Sequence, residues 1–173
     1  MSAQRDFGEL GLAEALVRLR ERATSPATGD SIVSMAEVLL WLYALEEHHK
    51  KRLDHVHGKR HYFNVVRPAS IGGLVLAGLI YARGLVTHSL IETANLVQVL
   101  PPLSRRMVTP GGGGTYIGRG PLYDLYWKPF DELPLPDRPE RHGRDKLYEQ
   151  YVQRKALLAP LEAAADFLRS LPD

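Results

Sequence analysis

Apolar residues recur at the three- and four-residue spacing of an α-helix in several stretches of the chain, which predicts a mainly helical protein. The first stretch, 9–24, ends at Pro26, because the residue before a proline avoids the helical conformation. The second, 31–54, follows a segment rich in helix-capping residues and ends before Gly58. The C-terminal stretch, 143–171, keeps an apolar stripe, and Pro160 either kinks it or begins a second helix.

The longest apolar run, from Ala69 to Ala82, lies in a helix predicted over 68–99, between Pro68 and Pro101. The run is too short to cross a bilayer, so it indicates a buried central helix and no membrane association. Several glycines interrupt this helix and indicate close packing of neighbouring helices or a kink in the backbone.

Two regions break the helical pattern. Residues 61–66 are predicted to be extended or irregular. Residues 101–140 are rich in proline and glycine, and within them 115–117 and 122–127 are predicted to pair as a hairpin across 118–120. The predicted fold is therefore mainly α: one domain, 1–173, forming a bundle of four to five helices with a short β-hairpin insertion.

Composition narrows the possible classes of protein. The chain has no cysteine, which excludes disulfides and thiolate metal sites, and its start carries no apolar segment typical of a secretion signal. We therefore expect a cytoplasmic protein. The net charge is only +2, but positive charge is concentrated in one region. This basic segment consists of Lys50, Lys51, Arg52, Lys59 and Arg60. It is predicted to contact RNA, or else to be a solvated helix end.

Five histidines crowd into the same region, close to three acidic residues, which raises the possibility of a metal site. They are His48, His49, His55, His57 and His61. Their spacing does not match a known zinc pattern, so a hydrated helix end is the other interpretation. No nucleophile elbow and no paired carboxylates on an apolar face are present.

The predicted central helix carries Arg83 and His88 within an otherwise apolar run. A buried cation is costly unless it is paired or faces a cleft. Polar positions recur at helical spacing in this part of the chain and predict a polar seam along one face. The seam consists of Tyr81, Gly84, His88, Glu92 and Asn95. The alternative is structural: His88 is a hydrogen-bonded core residue, and Arg83 pairs with an acid such as Glu92.

The string 81–88, with its Arg-x-x-x-x-His spacing, resembles the HEPN (higher eukaryotes and prokaryotes nucleotide-binding) superfamily, and 127–134 followed by a terminal helix resembles it as well. This resemblance implies metal-independent cleavage of RNA in a toxin or phage-defence setting, with a possible antitoxin partner and no cofactor. It implies that His88 is the base that removes the ribose 2′-hydroxyl proton and that Arg83 holds the scissile phosphate. The expected substrate contacts are Tyr81, Thr87, Glu92, Asn95 and the basic segment.

Arg83 and His88 are five residues apart, so on a straight helix their side chains point about 140° from each other. A kink at Gly84 or pairing of two chains along this helix would bring them together, and we expect a homodimer. Gly84 stands where active members usually carry a polar residue. A non-catalytic HEPN-like binding or scaffold protein is therefore the alternative, and metal binding by the histidines is a third.

Overall fold

The computed structural model describes residues 3–23, 28–88, 97–100, 124–133 and 143–172, and these confirm the mainly helical fold. Within them lie five α-helices, which agrees with the expected four to five. The elements are α1 (Ala3–Ala23), α2 (Thr28–His57), α3 (Ile71–His88), β1 (Val97–Leu100), β2 (Asp124–Trp127), α4 (Arg144–Tyr151) and α5 (Leu158–Ser170).

Helices α1 and α2 form a tightly packed pair at one side of the bundle. Gly8 lies against Leu45, and Gly11 lies so close to Trp41 that a Cβ atom there would be 2.6 Å from the indole ring. The absence of side chains at these glycines allows the two helices to approach closely. Both predicted helices, 9–24 and 31–54, are confirmed, and the second continues to His57.

Helix α3 is the centre of the bundle, as predicted, and it packs mainly against α4 and α5. Its prediction was too long at both ends. Residues 67–69 form a separate 3₁₀ turn, and the Gly73 N–H donates to Ser70 Oγ at 3.1 Å, which caps the helix. At the other end the described part of α3 extends to His88, and residues 97–100 form β1 instead of helix.

The segment predicted to be extended or irregular, 61–66, is helical instead. Residues Tyr62–Val66 form a π-helix, and the Tyr62 N–H donates to Asp54 Oδ1 at 2.9 Å. The carboxylate supplies the acceptor that the first turn of this helix lacks. The acceptor lies on α2, so this helical turn depends on a tertiary contact that the local sequence does not reveal.

One strand of the predicted hairpin is present, and it pairs with a segment that was predicted to be helical. Strand β2 lies within the predicted 122–127, but it pairs antiparallel with β1, with Val97 opposite Trp127. The expected partner, 115–117, lies outside the described residues. The backbone of β2 is also bonded to the segment between α4 and α5, where the Leu157 N–H donates to the Leu125 carbonyl at 2.8 Å. The C-terminal stretch therefore consists of two helices, with Pro160 in the first turn of α5.

Among the described helices, no single one combines the length and apolar character needed to cross a membrane. Residues 62–69 and 71–85 reach that threshold only as a pair, and the pair is bent by 116°.

Two glycines of α3 provide a matched test of this packing. At Gly78 a Cβ atom would lie 2.9 Å from the backbone nitrogen of Tyr148, whereas at Gly84 it would meet nothing within 4 Å. We expect Gly78→Ala to lower the free energy of unfolding by about 1–3 kcal/mol, because α4 must move away. Gly84→Ala should raise it by about 0.5–1 kcal/mol through helix propensity. Urea unfolding of both variants measures this, and equal effects would contradict the packing described.

Candidate nucleic-acid interface

A solvent-open cleft of about 560 Å³ lies where the C-terminal half of α2, the π-helix and the start of α4 meet. Its lining is strongly cationic and includes one carboxylate, one aromatic ring and one amide. The lining residues are Lys50, Asp54, Arg60, Phe63, Asn64, Arg67 and Arg144. We call this the basic cleft. Four cations and one acid around a single concavity give it a positive potential that attracts anions.

Arg67 is held in the wall of the basic cleft by a buried acid behind it. Its Nη1 lies 3.1 Å from Glu46 Oε1, and the two side chains are 14% and 3% exposed. The Tyr62 hydroxyl donates to the same carboxylate oxygen at 3.3 Å. Burial raises the pKa of Glu46, and the neighbouring Arg67 charge opposes that shift. Burial also raises the pKa of Tyr62, so its hydroxyl remains a donor. The guanidinium is therefore fixed in position.

The Phe63 ring organises two of the cleft cations. Lys50 Nζ lies 5.2 Å and Arg67 Cζ lies 4.5 Å from the ring centroid, and both distances are typical of cation–π contacts. Lys50 Nζ also lies 3.3 Å from a carboxylate oxygen of Glu47, one turn earlier on α2. These contacts order both cations, and the ion pairs with Glu47 and Glu46 balance part of their charge.

Arg60 contributes a third cation from a strained position. It follows Gly58, whose φ of 100° ends α2, and it has itself a φ of 66°. A left-handed backbone is uncommon for a residue other than glycine, asparagine or aspartate. The turn nevertheless places Arg60 in the lining of the same cleft as Lys50. Backbone strain of this kind concentrates at functional sites.

Arg83 lies on the same flank of α2 as the basic cleft. Its Cζ is 3.8 Å from the centroid of the Tyr43 ring. Tyr43 and Lys50 are seven residues apart, so they share one face of α2 at a separation of about 10 Å along the axis. Gly84, directly after Arg83, has open space where a side chain would be. The arginine that carries the resemblance therefore contacts the face of α2 that also carries Lys50.

The other residues of the predicted polar seam and the predicted contact Thr87 are either buried in the core or not described by the structure. Tyr81 is only 6% exposed and its ring packs against Phe130 and Tyr148, so it belongs to the core and does not line an open groove. Thr87 and His88 are the last residues of α3, but their side chains are outside what the structure describes. Glu92 and Asn95 lie outside the described residues altogether.

The predicted basic segment divides into two groups. Lys50 and Arg60 line the basic cleft, whereas Lys51 and Lys59 are exposed and do not line it. Arg52 is directed to the C-terminus, where its Nη2 donates to the Pro172 carbonyl, and it also lies 3.5 Å from His49 Nδ1. The basic segment is therefore not a single patch.

Five residues of the basic cleft were not predicted as site residues: Asp54, Phe63, Asn64, Arg67 and Arg144. Phe63 and Asn64 belong to the segment predicted to be extended or irregular, and Arg67 follows it directly. Asp54 lies on α2, and Arg144 comes from the start of α4. Phe63 beside Arg67 was the available signal, since an aromatic residue near a cation is typical of nucleic-acid contacts. The position of Arg144 depends on the tertiary fold.

The histidines do not assemble into a metal site in the part of the chain that the structure describes. No group of three or more histidine, aspartate or glutamate residues there is close enough to hold an ion. Instead the rings meet in pairs: His57 and His61 are 4.7 Å apart, and His48 and His49 are 5.8 Å apart. This arrangement does not favour the metal-binding alternative.

Comparison with models of known protein families, with curated proteins and with solved structures finds no match for this chain.

Proposed function

We propose that this protein binds RNA through the basic cleft and the adjoining flank of α2, within a HEPN-like helical architecture. The observation that carries the proposal is the convergence of four cations and an aromatic ring on one open concavity. Phosphate contacts from lysine and arginine supply most of the sequence-independent affinity for nucleic acid. Asn64 adds an amide that both donates and accepts hydrogen bonds, which suits contact with a base or a ribose.

We further propose that the bound RNA is cleaved without a metal ion, with His88 as the base and Arg83 as the phosphate ligand. The imidazole takes the 2′-hydroxyl proton, because its pKa lies near neutral pH. The Tyr43 ring limits the movement of the Arg83 guanidinium and so supports this role. The 2′-oxygen bonds to phosphorus as the bond from phosphorus to the 5′-oxygen breaks, and the 5′-oxygen takes up a proton from solvent. The cut therefore leaves a 2′,3′-cyclic phosphate on one fragment and a 5′-hydroxyl on the other. A homodimer paired along α3 would supply the second half of the site, and the expected setting is a cytoplasmic toxin or phage-defence protein with an antitoxin partner.

Neighbouring lysines on α2 test the binding proposal. Lys50 lines the basic cleft, whereas Lys51 is exposed and does not line it. We expect Lys50→Gln to weaken the binding of single-stranded RNA and to reduce the slope of log affinity against log salt by about 0.7, the value of one phosphate contact. Lys51→Gln should change neither quantity by as much. Fluorescence anisotropy over a series of salt concentrations measures both, and equal losses would contradict binding in the cleft.

Incubation of the purified protein with structured RNA tests cleavage. We expect cleavage that persists with a chelator and is lost in His88→Ala and in Arg83→Ala, with RNA binding retained in His88→Ala. Binding without cleavage in the unaltered chain would instead support the non-catalytic alternative. Cleavage that the chelator abolishes would contradict the metal-independent mechanism.

A further inference from the structure

The shape and charge of the basic cleft indicate which part of a nucleic acid it binds. We propose that the cleft is a pocket for the phosphomonoester of a nucleotide, carried by the end of an RNA strand or by a free mononucleotide. For an RNA end this inference rests on the proposed function, and it adds which part of the RNA the cleft binds.

The distribution of charge supports a terminal phosphate. Each internal phosphodiester carries one negative charge, whereas a phosphomonoester carries about −1.5 to −2 near neutral pH. The four cations come from α2, the turn after it, the segment before α3 and the start of α4, and all line one concavity, which suits one multiply charged group. The single acid, Asp54, already accepts the Tyr62 N–H, so one of its oxygens is occupied.

The volume also fits a nucleotide. About 560 Å³ lies within the range of roughly 300–1,000 Å³ that is typical of small-molecule sites. A phosphate alone would leave most of this space filled by water. The remaining space accommodates a ribose and a base, and Asn64 provides an amide for hydrogen bonds to the edge of the base.

Two of the phosphate-binding cations are ordered before the ligand arrives. Arg67 is anchored by Glu46, and Lys50 lies between the Phe63 ring and Glu47. Binding therefore requires little further loss of side-chain freedom at these two residues, which favours affinity. Their charge-assisted hydrogen bonds to phosphate oxygens are stronger than bonds between neutral groups.

Calorimetric titration of the full chain with matched ligands tests this. The ligands are one short single-stranded RNA with a 5′-hydroxyl, a 5′-phosphate or a 3′-phosphate end, together with adenosine monophosphate and adenosine. We expect a phosphorylated end to strengthen binding by about tenfold over the unphosphorylated RNA, as expected for an added charge-assisted hydrogen bond. We expect adenosine monophosphate to bind more tightly than adenosine by a similar factor.

Two arginines provide a matched pair of variants. Arg60 and Arg154 are both exposed, and they have similar positive φ angles of 66° and 59°, but only Arg60 lines the basic cleft. Asparagine tolerates this backbone conformation, so both Arg60→Asn and Arg154→Asn remove one charge without new strain. We expect Arg60→Asn to reduce the preference for the phosphorylated end and Arg154→Asn to preserve it.

The outcomes separate this inference from the proposed function. Equal affinity for phosphorylated and unphosphorylated RNA overturns the terminal-phosphate pocket and leaves RNA binding intact. Binding of adenosine monophosphate without binding of any RNA supports the pocket and overturns the proposed function. Binding of none of the five ligands overturns both. If Arg60→Asn and Arg154→Asn reduce the preference for the phosphorylated RNA end equally, the assignment of the phosphate pocket to this cleft is overturned.

Discussion

Arg67→Met is expected to lower the free energy of unfolding by about 3–5 kcal/mol, because it leaves Glu46 buried without its cation. The carboxylate is 3% exposed and would retain the Tyr62 hydroxyl as its neighbour in place of the lost guanidinium. Methionine has a similar volume to arginine. The loss of stability is therefore due mainly to the removed charge and not to a cavity. Urea unfolding of the variant and the unaltered chain measures the difference.

The loss in Arg67→Met should grow with pH. Burial raises the pKa of Glu46 above its ordinary value of 4.5, so the folded protein holds this proton more tightly than the unfolded chain does. Stability therefore falls as pH rises from the ordinary pKa through the raised one. Without Arg67 the pKa of Glu46 rises further, so the decrease in the free energy of unfolding extends to higher pH. The difference in the free energy of unfolding between the variant and the unaltered chain should be larger at about pH 8 than at about pH 5.

A double variant provides the control for this interpretation. In Glu46→Met/Arg67→Met both charges are replaced by apolar side chains, and we expect most of the lost stability to return. If the double variant is as unstable as Arg67→Met alone, the loss is due to packing around Arg67, and the account of a buried ion pair is wrong.

Trp127→Ala is expected to lower the free energy of unfolding by about 3–5 kcal/mol, through lost burial and the cavity that remains. Trp127 is fully buried, its indole N–H donates to the Leu157 carbonyl at 3.0 Å, and its ring meets Tyr148 edge to face. The backbone of Arg154 donates to the Trp127 carbonyl at 2.8 Å. The residue therefore joins β2 to the segment between α4 and α5.

Two comparison variants separate the contributions of Trp127. Trp127→Phe keeps an aromatic ring but leaves the Leu157 carbonyl without this donor, and we expect a loss smaller than in Trp127→Ala. Trp41→Ala removes the other tryptophan, which is only partly buried on α2, and should also cost less. Chemical denaturation compares the three, and a loss in Trp127→Ala no larger than that in Trp41→Ala would show that β2 is not anchored as described.

Elements governed by local periodicity were predictable from sequence. The amphipathic spacing of α1 and α2 requires no knowledge of partners, and Pro160 marked the start of α5. The end of α3 was not predictable in this way. Val97 and Val99 alternate with Gln98 as in a strand, but the stretch is short, and its pairing partner, β2, lies far along the chain. Strand pairing over such a separation leaves little local signal.

The candidate site was predictable only where it depends on neighbouring residues. The density of positive charge around Lys50 and Arg60 indicated a basic surface, and both residues line the basic cleft. Its other cations, Arg67 and Arg144, reach it through the bend before α3 and the packing of α4. The charged residue Arg83 was recognisable as unusual in an apolar helix, but its contact with the Tyr43 ring on α2 was not.

The close contacts around the glycines of α3 restrict which residues related proteins can carry at these positions. A Cβ atom at Gly72 would lie 2.7 Å from Cβ of Phe167, and one at Gly73 would lie 2.0 Å from the Arg67 carbonyl oxygen. Gly78 is similarly restricted by α4. Substitution at these three positions is therefore constrained by packing, whereas a Cβ atom at Gly84 would meet nothing within 4 Å. Evolution is expected to preserve the spacing of two adjacent glycines and a third five residues later, even where surface charges have diverged.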